Sequence, residues 1–294
     1  MIFHVNLDRR LLRLSGRDVV SYLHTKLTVD VRPWPRTGGA YAYAVDINGR
    51  IIFDADFSMQ PDGQVLAWLR TDRTAAAIAH LDRYVIREDV VLTDVSDGWT
   101  VLELLDDGTA PPQSRAGSTR TIGGVECLST AWFFAGRSGE LLAVPTNDLD
   151  AVTSELPGTG SVKLDDSAWD TMRLDHAQPL VGRELLVEEN IPLEAGEDGV
   201  QFNKGCYLGQ EVIERLSARG TPARRLAVIT WDGAGVPSGT PVLLGESEVG
   251  QVVTPDPDPT VARGFAWIRR KGLSAADELR INGSPLRLRL VGGE

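Results

Sequence analysis

The chain has 294 residues and a formal net charge of −11, with 42% hydrophobic and 24% charged residues. This composition is that of a globular protein with room for two or three core-bearing units, and it excludes intrinsic disorder. The excess of acidic residues argues against nonspecific attraction to nucleic acid or to anionic membranes. We therefore expect neither nucleic acid nor a membrane among its partners.

The amino-terminal segment and the two cysteines indicate the cellular setting. Residues 1–16 carry charges within their apolar run, so they resemble neither a secretory signal nor a membrane span, and we expect a cytoplasmic protein. In a reducing cytosol, Cys127 and Cys206 should both be thiols. Two cysteines cannot supply the four ligands of an ordinary iron–sulfur cluster, and the sequence offers no CxxC or HExxH motif. We expect no resident metal.

The first half of the chain predicts antiparallel strands with helices inserted between hairpins. Alternating apolar residues predict strands at residues 5–16, 40–46, 50–59, 64–70, 90–96 and 100–105. Helical spacing predicts helices at residues 18–27 and 74–84. Turn residues at 48–49 and 61–63 predict hairpins, and the Gly, Pro and Ser content of residues 106–120 predicts an exposed loop.

The second half changes character near its end. Strands are predicted at residues 125–130, 131–136 and 140–145, and helices at residues 148–156, 166–177 and 205–220. After residue 225 the pattern is strands alone, as in a small barrel or sandwich, at residues 226–231, 241–253, 263–270 and 279–291. The prediction is an α+β fold, divided into residues 1–220 and a small β unit at residues 221–294.

The segment KGCYLGQE, residues 204–211, places Cys206 beside Lys204 where a helix is predicted to begin. Free backbone amides, the positive end of the helix dipole and the lysine charge would each lower the pKa of such a thiol. Cys206 is therefore a candidate nucleophile or redox-sensitive group. The alternative is a buried cysteine that acts as a small hydrophobic side chain.

Other segments join this motif in a recognisable order. They are SGRDVVSYLHTKLTVDV at 15–31, INGRIIFDADF at 47–57, MRLDHAQPLVGRELLVEENIPLEAG at 172–196 and GQVVTPDP at 250–257. With KGCYLGQE, they resemble the YgfZ/IBA57-type proteins of the folate-binding glycine cleavage T-protein superfamily. The KGCYxGQE signature is specific, whereas the other segments are weak singly, and the resemblance covers nearly the whole chain.

The resemblance implies two interleaved antiparallel-sheet α+β units around a central folate-sized hole, followed by a carboxy-terminal barrel. It also implies tetrahydrofolate, or a one-carbon derivative, as cofactor. A folate needs an apolar slot, a carboxylate for its ring donors and cations for its glutamate tail. Candidate walls of the slot are Tyr43, Phe53 and Trp68. Candidate ring partners are Asp54, Asp175 and Glu211. Candidate tail partners are Arg173, Arg183 and Lys204. Each candidate also has a purely structural alternative: the aromatic residues could lie in a core, and the arginines could be solvated or paired with neighbouring acids.

The implied function is support of iron–sulfur cluster assembly or repair, with client iron–sulfur proteins or assembly factors as partners. Cys206 would be the reactive group and Lys204 would stabilise its thiolate. Tyr207, Gln210 and Glu211 would orient the loop or contact the ligand. The thiol could transiently ligate a cluster or iron, exchange with a disulfide, or accept a one-carbon unit.

Departures from the family pattern leave two alternative functions open. The RxE element reads Arg173-Leu174-Asp175, and Phe53 precedes Asp54 where the T-protein has adjacent acids. An aminomethyltransferase using Asp54 is therefore disfavoured, although it stays an alternative, and whether any turnover occurs is open. A non-catalytic scaffold could instead dock an acidic partner on the basic end of the barrel, formed by Arg263, Arg269, Arg270, Lys271, Arg287 and Arg289.

Overall fold

The computed structural model describes residues 2–6, 9–70, 74–106, 108–156, 160–218, 220 and 222–293. Within these ranges, seventeen strands form two open sheets and a closed barrel. The strands of the two sheets are β1 (Ile2–Asn6), β2 (Arg10–Ser15), β3 (Gly39–Val45), β4 (Ile51–Met59), β5 (Val65–Leu69), β6 (Val91–Asp94), β7 (Trp99–Leu105), β8 (Gly117–Ile122), β9 (Val125–Phe134), β10 (Arg137–Pro145) and β11 (Val162–Lys163). Those of the barrel are β12 (Arg224–Trp231), β13 (Pro241–Leu244), β14 (Ser247–Pro255), β15 (Arg263–Arg269), β16 (Leu279–Ile281) and β17 (Ser284–Leu290). The helices are α1 (Val19–His24), α2 (Trp34–Thr37), α3 (Thr74–Asp82), α4 (Leu149–Glu155), α5 (Asp166–Asp175), α6 (Gln210–Ala218) and α7 (Arg270–Leu273).

The chain alternates between the two open sheets. Strand β1 lies in a six-stranded sheet of order β11-β1-β7-β10-β9-β8, and the chain then crosses to a five-stranded sheet of order β3-β4-β5-β2-β6. It returns to the six-stranded sheet with β7. The two units are therefore interleaved, and the α+β fold predicted from the sequence, with its terminal barrel, is confirmed.

Strand β4 shows how the sequence separates two cores. Phe53, Ala55 and Phe57 face the core that the five-stranded sheet forms with α1 and α3. Asp54 and Asp56 alternate with them, so their side chains stand on the opposite face, toward the six-stranded sheet. Both carboxylates are buried. The strand thus carries charge into the space between the sheets.

The barrel uses the same alternation to attach itself to the rest of the chain. On β12, Leu226 and Val228 pack against the α+β body, while Ala227 and Ile229 fill the barrel interior. The barrel begins at Arg224, close to the predicted boundary, where residues 219 and 221 lie outside the described part. The division into residues 1–220 and 221–294 stays a prediction.

The predicted basic end of the barrel is not a single cluster. Arg263 and Arg269 are the first and last residues of β15, and a strand rises about 3.3 Å per residue, so they lie about 20 Å apart. Arg263 pairs with Thr230, which in turn pairs with Arg287, at one end. Arg269 and the adjoining helix α7 lie at the other. The six basic residues therefore form two groups, and the predicted single docking face is wrong.

Four predicted elements differ in the structure. The strand predicted at residues 5–16 is instead two strands, β1 and β2, which lie in different sheets. Strand β8 begins at Gly117, inside the predicted loop, because it pairs with β9 and forms the edge of the six-stranded sheet. Residues 125–130 and 131–136 form one continuous strand rather than two.

In the described ranges, no helix is both long and apolar enough to cross a membrane. The cytoplasmic location stays a prediction.

Helix α6 is the fourth difference, since it begins at Gln210 rather than at Gly205. Gly209 has a φ of +81°, which a helical residue cannot adopt, and a Cβ built there would lie 2.3 Å from the carbonyl oxygen of Asp46. The helix start is thus packed directly on the β3–β4 turn, where a Cβ built on Gly49 would lie 3.3 Å from Ile213 Cγ1. Because of this close backbone contact, the helix begins about one turn later than the sequence predicts.

We expect Gly209→Ala to lower the free energy of unfolding by about 3 kcal/mol or more, because it adds a backbone clash to a left-handed conformation. Gly63→Ala is the matched control, since Gly63 has a φ of +83° and its Cβ would meet nothing within 4 Å. The control should cost only about 1 kcal/mol. Denaturant unfolding of both variants measures the difference, and equal losses would contradict the close packing.

Candidate functional site

A cavity with two lobes lies where the edge strand β3, the barrel and two loops meet. The first lobe, of about 320 Å³, is lined by β3 together with the loop at 112–115 and the segment at 197–201. The second, of about 250 Å³, is lined by β3, the segment at 176–179 and the last residues of the barrel. Tyr41 and Asp198 line both lobes. We call the two lobes together the central hole, and its size is typical of a small-molecule site.

Asp54 lies directly behind the wall of the central hole. The hydroxyl of Tyr41 donates a hydrogen bond of 3.0 Å to Asp54 Oδ2, and Arg70 Nε lies 3.6 Å from the same oxygen. The other carboxylate oxygen, Oδ1, is buried and has no hydrogen-bond partner among the described residues. Burial raises the pKa of Asp54 to about 6, although Arg70 and Tyr41 oppose the shift. The site therefore holds a buried acceptor with unused capacity.

Asp56, the next acid on the same face of β4, is surrounded by three guanidinium groups. Arg115 Nη1 lies 2.5 Å from Asp56 Oδ1, while Arg70 and Arg9 each lie 3.4 Å from Oδ2. Burial opposes ionisation of Asp56, but Arg70, Arg115 and Arg9 together hold its pKa below the usual value. Because Arg115 belongs to the loop that lines the first lobe, this ion-pair cluster fixes that loop in place.

Aromatic rings hold Arg70 in its position. Its guanidinium carbon lies 4.3 Å from the ring centre of Tyr41 and 5.4 Å from that of Phe134. Phe134 in turn stacks on Trp132 and Trp169, at centroid distances of 4.8 and 5.4 Å. The cation is thus placed between the wall of the hole and the core between the sheets.

Lys204 is directed at the end of helix α1 rather than at the thiol. Its buried ammonium donates to the carbonyl oxygens of His24 at 2.7 Å and Leu27 at 2.5 Å. Carbonyl groups at a helix end lack intrahelical partners, so a lysine there satisfies them. Burial lowers the pKa of Lys204 to about 8. This lysine anchors the loop that carries Cys206.

Cys206 is an exposed free thiol, whereas Cys127 is buried on β9. Since α6 begins at Gln210, the thiol lies in the preceding loop, and the predicted position at a helix start is wrong. Within the described structure, Cys206 does not line either lobe, although Gln201, on the same segment, lines the first. The structure therefore exposes the Cys206 thiol to solvent but does not place it at the positive end of a helix dipole.

The rest of the motif forms the structure of its own loop. The backbone N–H of Tyr207 donates to Gln210 Oε1 at 3.2 Å, and Gln210 Nε2 donates to Glu214 at 2.5 Å. Tyr207 is buried, and its hydroxyl has no partner among the described residues. Glu211 is exposed in the first turn of α6. Ligand roles for Tyr207, Gln210 and Glu211 stay predictions.

Among the residues that line the two lobes, the structure does not place the candidates from α5 and the segment after it. Arg173 is fully buried, with Nη1 3.0 Å from Glu184 and Nη2 2.8 Å from Asp170. Arg183 also pairs with Asp170, at 2.6 Å. Asp175 pairs with Arg263 of the barrel. The side chains of this group are engaged with one another or with the barrel.

Of the predicted apolar walls, the structure places only Tyr43 in the lining of the central hole. Phe53 and Trp68 are fully buried in two different cores, and the indole of Trp68 donates to Ser58. Their prediction as walls is wrong, because Phe53 packs in the core of the five-stranded sheet with α1 and α3, and Trp68 packs in the core between the two sheets. Tyr41, two residues before Tyr43 on the same strand, is the wall that sequence reasoning missed.

Sequence reasoning also missed the residues around Asp54, namely Asp56, Arg70, Arg115 and Asp198. One signal was present, since two acids alternate with apolar residues on β4, which predicts carboxylates facing inward that need cations. Arg70 directly follows the neighbouring strand β5. Arg115 and Asp198 come from loops, and no local pattern indicates them.

Comparisons with known proteins agree with this architecture, although no family model matches the chain. It is 27% identical over 245 residues to an IBA57 homologue described as a mitochondrial iron–sulfur cluster assembly factor, from Mycosarcoma maydis, which covers 78% of this chain and 57% of the relative. It is 25% identical over 236 residues to the tRNA-modifying protein YgfZ of Sodalis glossinidius, covering 74% of this chain and 68% of that protein.

Aminomethyltransferases are similar as well. One from Herpetosiphon aurantiacus is 27% identical over 232 residues, covering 72% of this chain and 64% of the relative. The crystal structure of the glycine cleavage system aminomethyltransferase T from Bartonella henselae matches with a TM-score of 0.79 at 16% identity, covering 99% of this chain and 85% of that one. The chain therefore has this fold, and it spans less than two thirds of the Mycosarcoma and Herpetosiphon relatives.

We expect one thiol to react with an aromatic disulfide reagent in the folded protein and two after denaturation. Cys206 is exposed, whereas Cys127 is buried. Cys206→Ser should abolish the native reaction, and Cys127→Ser is the matched control that should retain it. Colorimetric thiol counting checks both. Equal native reactivity of the two variants would contradict the placement of the thiols.

Asp54 should make stability depend on pH. Its pKa rises from 3.8 to about 6 on folding, so the native state binds more protons between these values. Its contribution is therefore fully present below about pH 4 and is lost as the pH rises through about 6. From pH 4 to pH 7, wild type should lose about 3 kcal/mol relative to Asp54→Asn in denaturant unfolding. Parallel pH profiles of the two proteins would count against a buried, proton-binding carboxylate.

Proposed function

The chain belongs to the glycine cleavage T-protein superfamily, with the YgfZ/IBA57-type proteins, and on this premise we propose that it binds a reduced folate in the central hole and supports iron–sulfur cluster assembly or repair. The observation that carries the proposal is the unpartnered Asp54 oxygen behind the wall of that hole. A buried carboxylate with unused acceptor capacity suits a ligand that presents N–H donors.

The residues present fit a pteridine ring. Tyr41 and Tyr43, with ring centres 5.2 Å apart, supply aromatic surface at the junction of the lobes. Asp54 would accept from the donor edge of the ring, and the Asp56–Arg70–Arg115 cluster would hold this wall rigid. When bound, a reduced folate supplies nitrogen atoms that carry a one-carbon unit. What this chain contributes is a shaped slot and a preorganised carboxylate.

Cys206 is the proposed reactive group toward client iron–sulfur proteins or assembly factors. An exposed thiol can meet a partner's surface, and the loop that carries it is fixed at both ends, by Lys204 on α1 and by Gly209 on the β3–β4 turn. We assign Lys204 as a positioning residue, because its ammonium is bonded to backbone carbonyls. The thiol would transiently ligate a cluster or iron; disulfide exchange and one-carbon acceptance are the other candidate steps.

Aminomethyl transfer is the second candidate, favoured by the aminomethyltransferases among the relatives. It would use Asp54 as the carboxylate near the reacting nitrogen. The residue before it, Phe53, faces the opposite core, so the strand offers no second acid at that position. Turnover with a lipoyl carrier protein that is indifferent to Cys206→Ala would favour this candidate over the proposed function.

The test is an anaerobic titration of tetrahydrofolate, read beside recovery of a cluster-dependent enzyme. We expect Asp54→Asn to weaken folate binding about 10-fold or more, since it removes a charge-assisted hydrogen bond. Cys206→Ser should bind folate as wild type does but should fail to restore the enzyme. Absence of folate binding by wild type would overturn the folate assignment, and equal recovery with Cys206→Ser would overturn the role of the thiol.

A further inference from the structure

Four cationic side chains adjoin one another at the end of the barrel opposite to Arg263. Arg269 is the last residue of β15, and Arg270 and Lys271 begin α7. Arg224, the first residue of β12, pairs directly with Arg269 in the sheet. Arg224 is partly buried, and the other three are exposed. We call these four residues the basic ridge.

Paired strands and tertiary contacts fix the basic ridge in place. The guanidinium carbon of Arg224 lies 4.6 Å from the ring centre of Trp267, and its Nε lies 3.0 Å from Glu194 Oε1. The backbone N–H of Arg270 donates to the carbonyl oxygen of Ala223 at 2.9 Å, which ties the start of α7 to the segment before β12. The ridge therefore rests on strands and a helix, and a surface that is already ordered loses little entropy when a partner binds.

The ridge carries more positive charge than its surroundings neutralise. Glu194 pairs with Arg224, and Arg269 Nη1 donates to the backbone carbonyl of Glu248 at 3.3 Å. In the part of the chain that the structure describes, no carboxylate forms an ion pair with Arg269 or Lys271. This local excess of positive charge lies in a chain whose net charge is −11.

The placement of these cations opposes what stability favours. Arg224 and Arg269 stand directly opposite each other on adjacent antiparallel strands, where like charges are destabilising. Arg270 and Lys271 follow Arg269 without an intervening acid. Repulsion among such groups falls when anions bind beside them. The ridge is therefore better explained by a partner than by a role in folding.

The size of the ridge decides which class of polyanion it fits. Directly paired residues have Cα atoms about 5 Å apart, and Lys271 lies two residues beyond Arg269, so the ridge extends over only about 10 Å. A nucleic acid or a membrane carries its charge well beyond this distance and would meet exposed acids such as Glu248. An acidic patch on a folded protein can match the ridge alone.

We propose that the basic ridge docks an acidic protein partner through that partner's carboxylates. This contact surface goes beyond the proposed function, because it uses neither the central hole nor the thiol of Cys206. It also differs from the single basic face expected from the sequence, since it excludes Arg263, Arg287 and Arg289 and includes Arg224.

The test measures the fluorescence anisotropy of a labelled poly-aspartate peptide, which supplies the carboxylates of such a partner. Wild type should bind it with an affinity that falls as salt is raised. The double variant Arg269→Gln/Lys271→Gln should bind about five- to tenfold more weakly, because two charge pairs are lost. Arg83→Gln/Arg87→Gln is the matched control, since it removes the same charge from two exposed arginines after α3, and it should bind as wild type does.

Denaturant unfolding separates a binding role from a structural one. Because the ridge cations repel one another, Arg269→Gln/Lys271→Gln should unfold at the same denaturant concentration as wild type or at a higher one. A lower midpoint would identify these cations as structural and would overturn the docking surface.

The binding experiment has further outcomes that would overturn the proposal. These are no peptide binding by wild type, equal binding by the ridge variant, or an equal loss in the control, which would attribute binding to overall charge. Single-stranded RNA and phosphatidylserine vesicles are measured in parallel. Tighter binding of either one than of the peptide, lost in the ridge variant, would overturn the assignment to a protein partner. Folate binding and Cys206 labelling should be unchanged in both variants, so the proposed function is tested separately.

Discussion

The burial of two carboxylates between the sheets is the constraint on which the rest of the structure depends. Asp54 and Asp56 stand on one face of β4, where neither reaches solvent. A buried charge is tolerated only when it is paired, and removal of one partner of such a pair typically costs about 3–5 kcal/mol. The partners must therefore be brought from elsewhere in the chain, and their arrival fixes the positions of those segments.

Three arginines from different parts of the chain meet this requirement. Arg70 follows β5, Arg9 precedes β2 and also binds Glu103 of the six-stranded sheet at 2.7 Å, and Arg115 comes from the loop before β8. The cluster thereby joins both sheets and a wall of the central hole. Asp54 is the member with spare acceptor capacity, which is why we place the folate ring against it.

Contacts with α1 and with the β3–β4 turn hold the KGCYLGQE segment in place, which its residue types alone do not indicate. Lys204 binds the end of α1, and Gly209 allows the chain to pass against the β3–β4 turn. Between these two anchors, Cys206 faces solvent. Lys204 and Gly209 hold the segment in place, whereas the sequence alone suggested that the lysine would stabilise the thiolate. Exposure on a fixed loop suits transfer to a partner protein.

Local patterns predicted most of the elements, because alternation and turn residues are properties of neighbouring residues. The hairpin β3–β4, the helices α1, α3 and α5 and the barrel strands all follow from them. The arginine cluster does not, since Arg9, Arg70 and Arg115 approach Asp56 through pairings of distant strands. The late start of α6 depends on contact between Gly209 and Asp46, and strand β8 depends on its partner β9. These features are set by tertiary contacts that no local window contains.

The most direct measurement is a crystal structure of the protein with 5-formyltetrahydrofolate. We expect the pteridine in the central hole, against Tyr41 and within hydrogen-bond distance of Asp54 Oδ1. A ligand bound outside the hole, or a pteridine whose donors leave that oxygen unpaired, would contradict it.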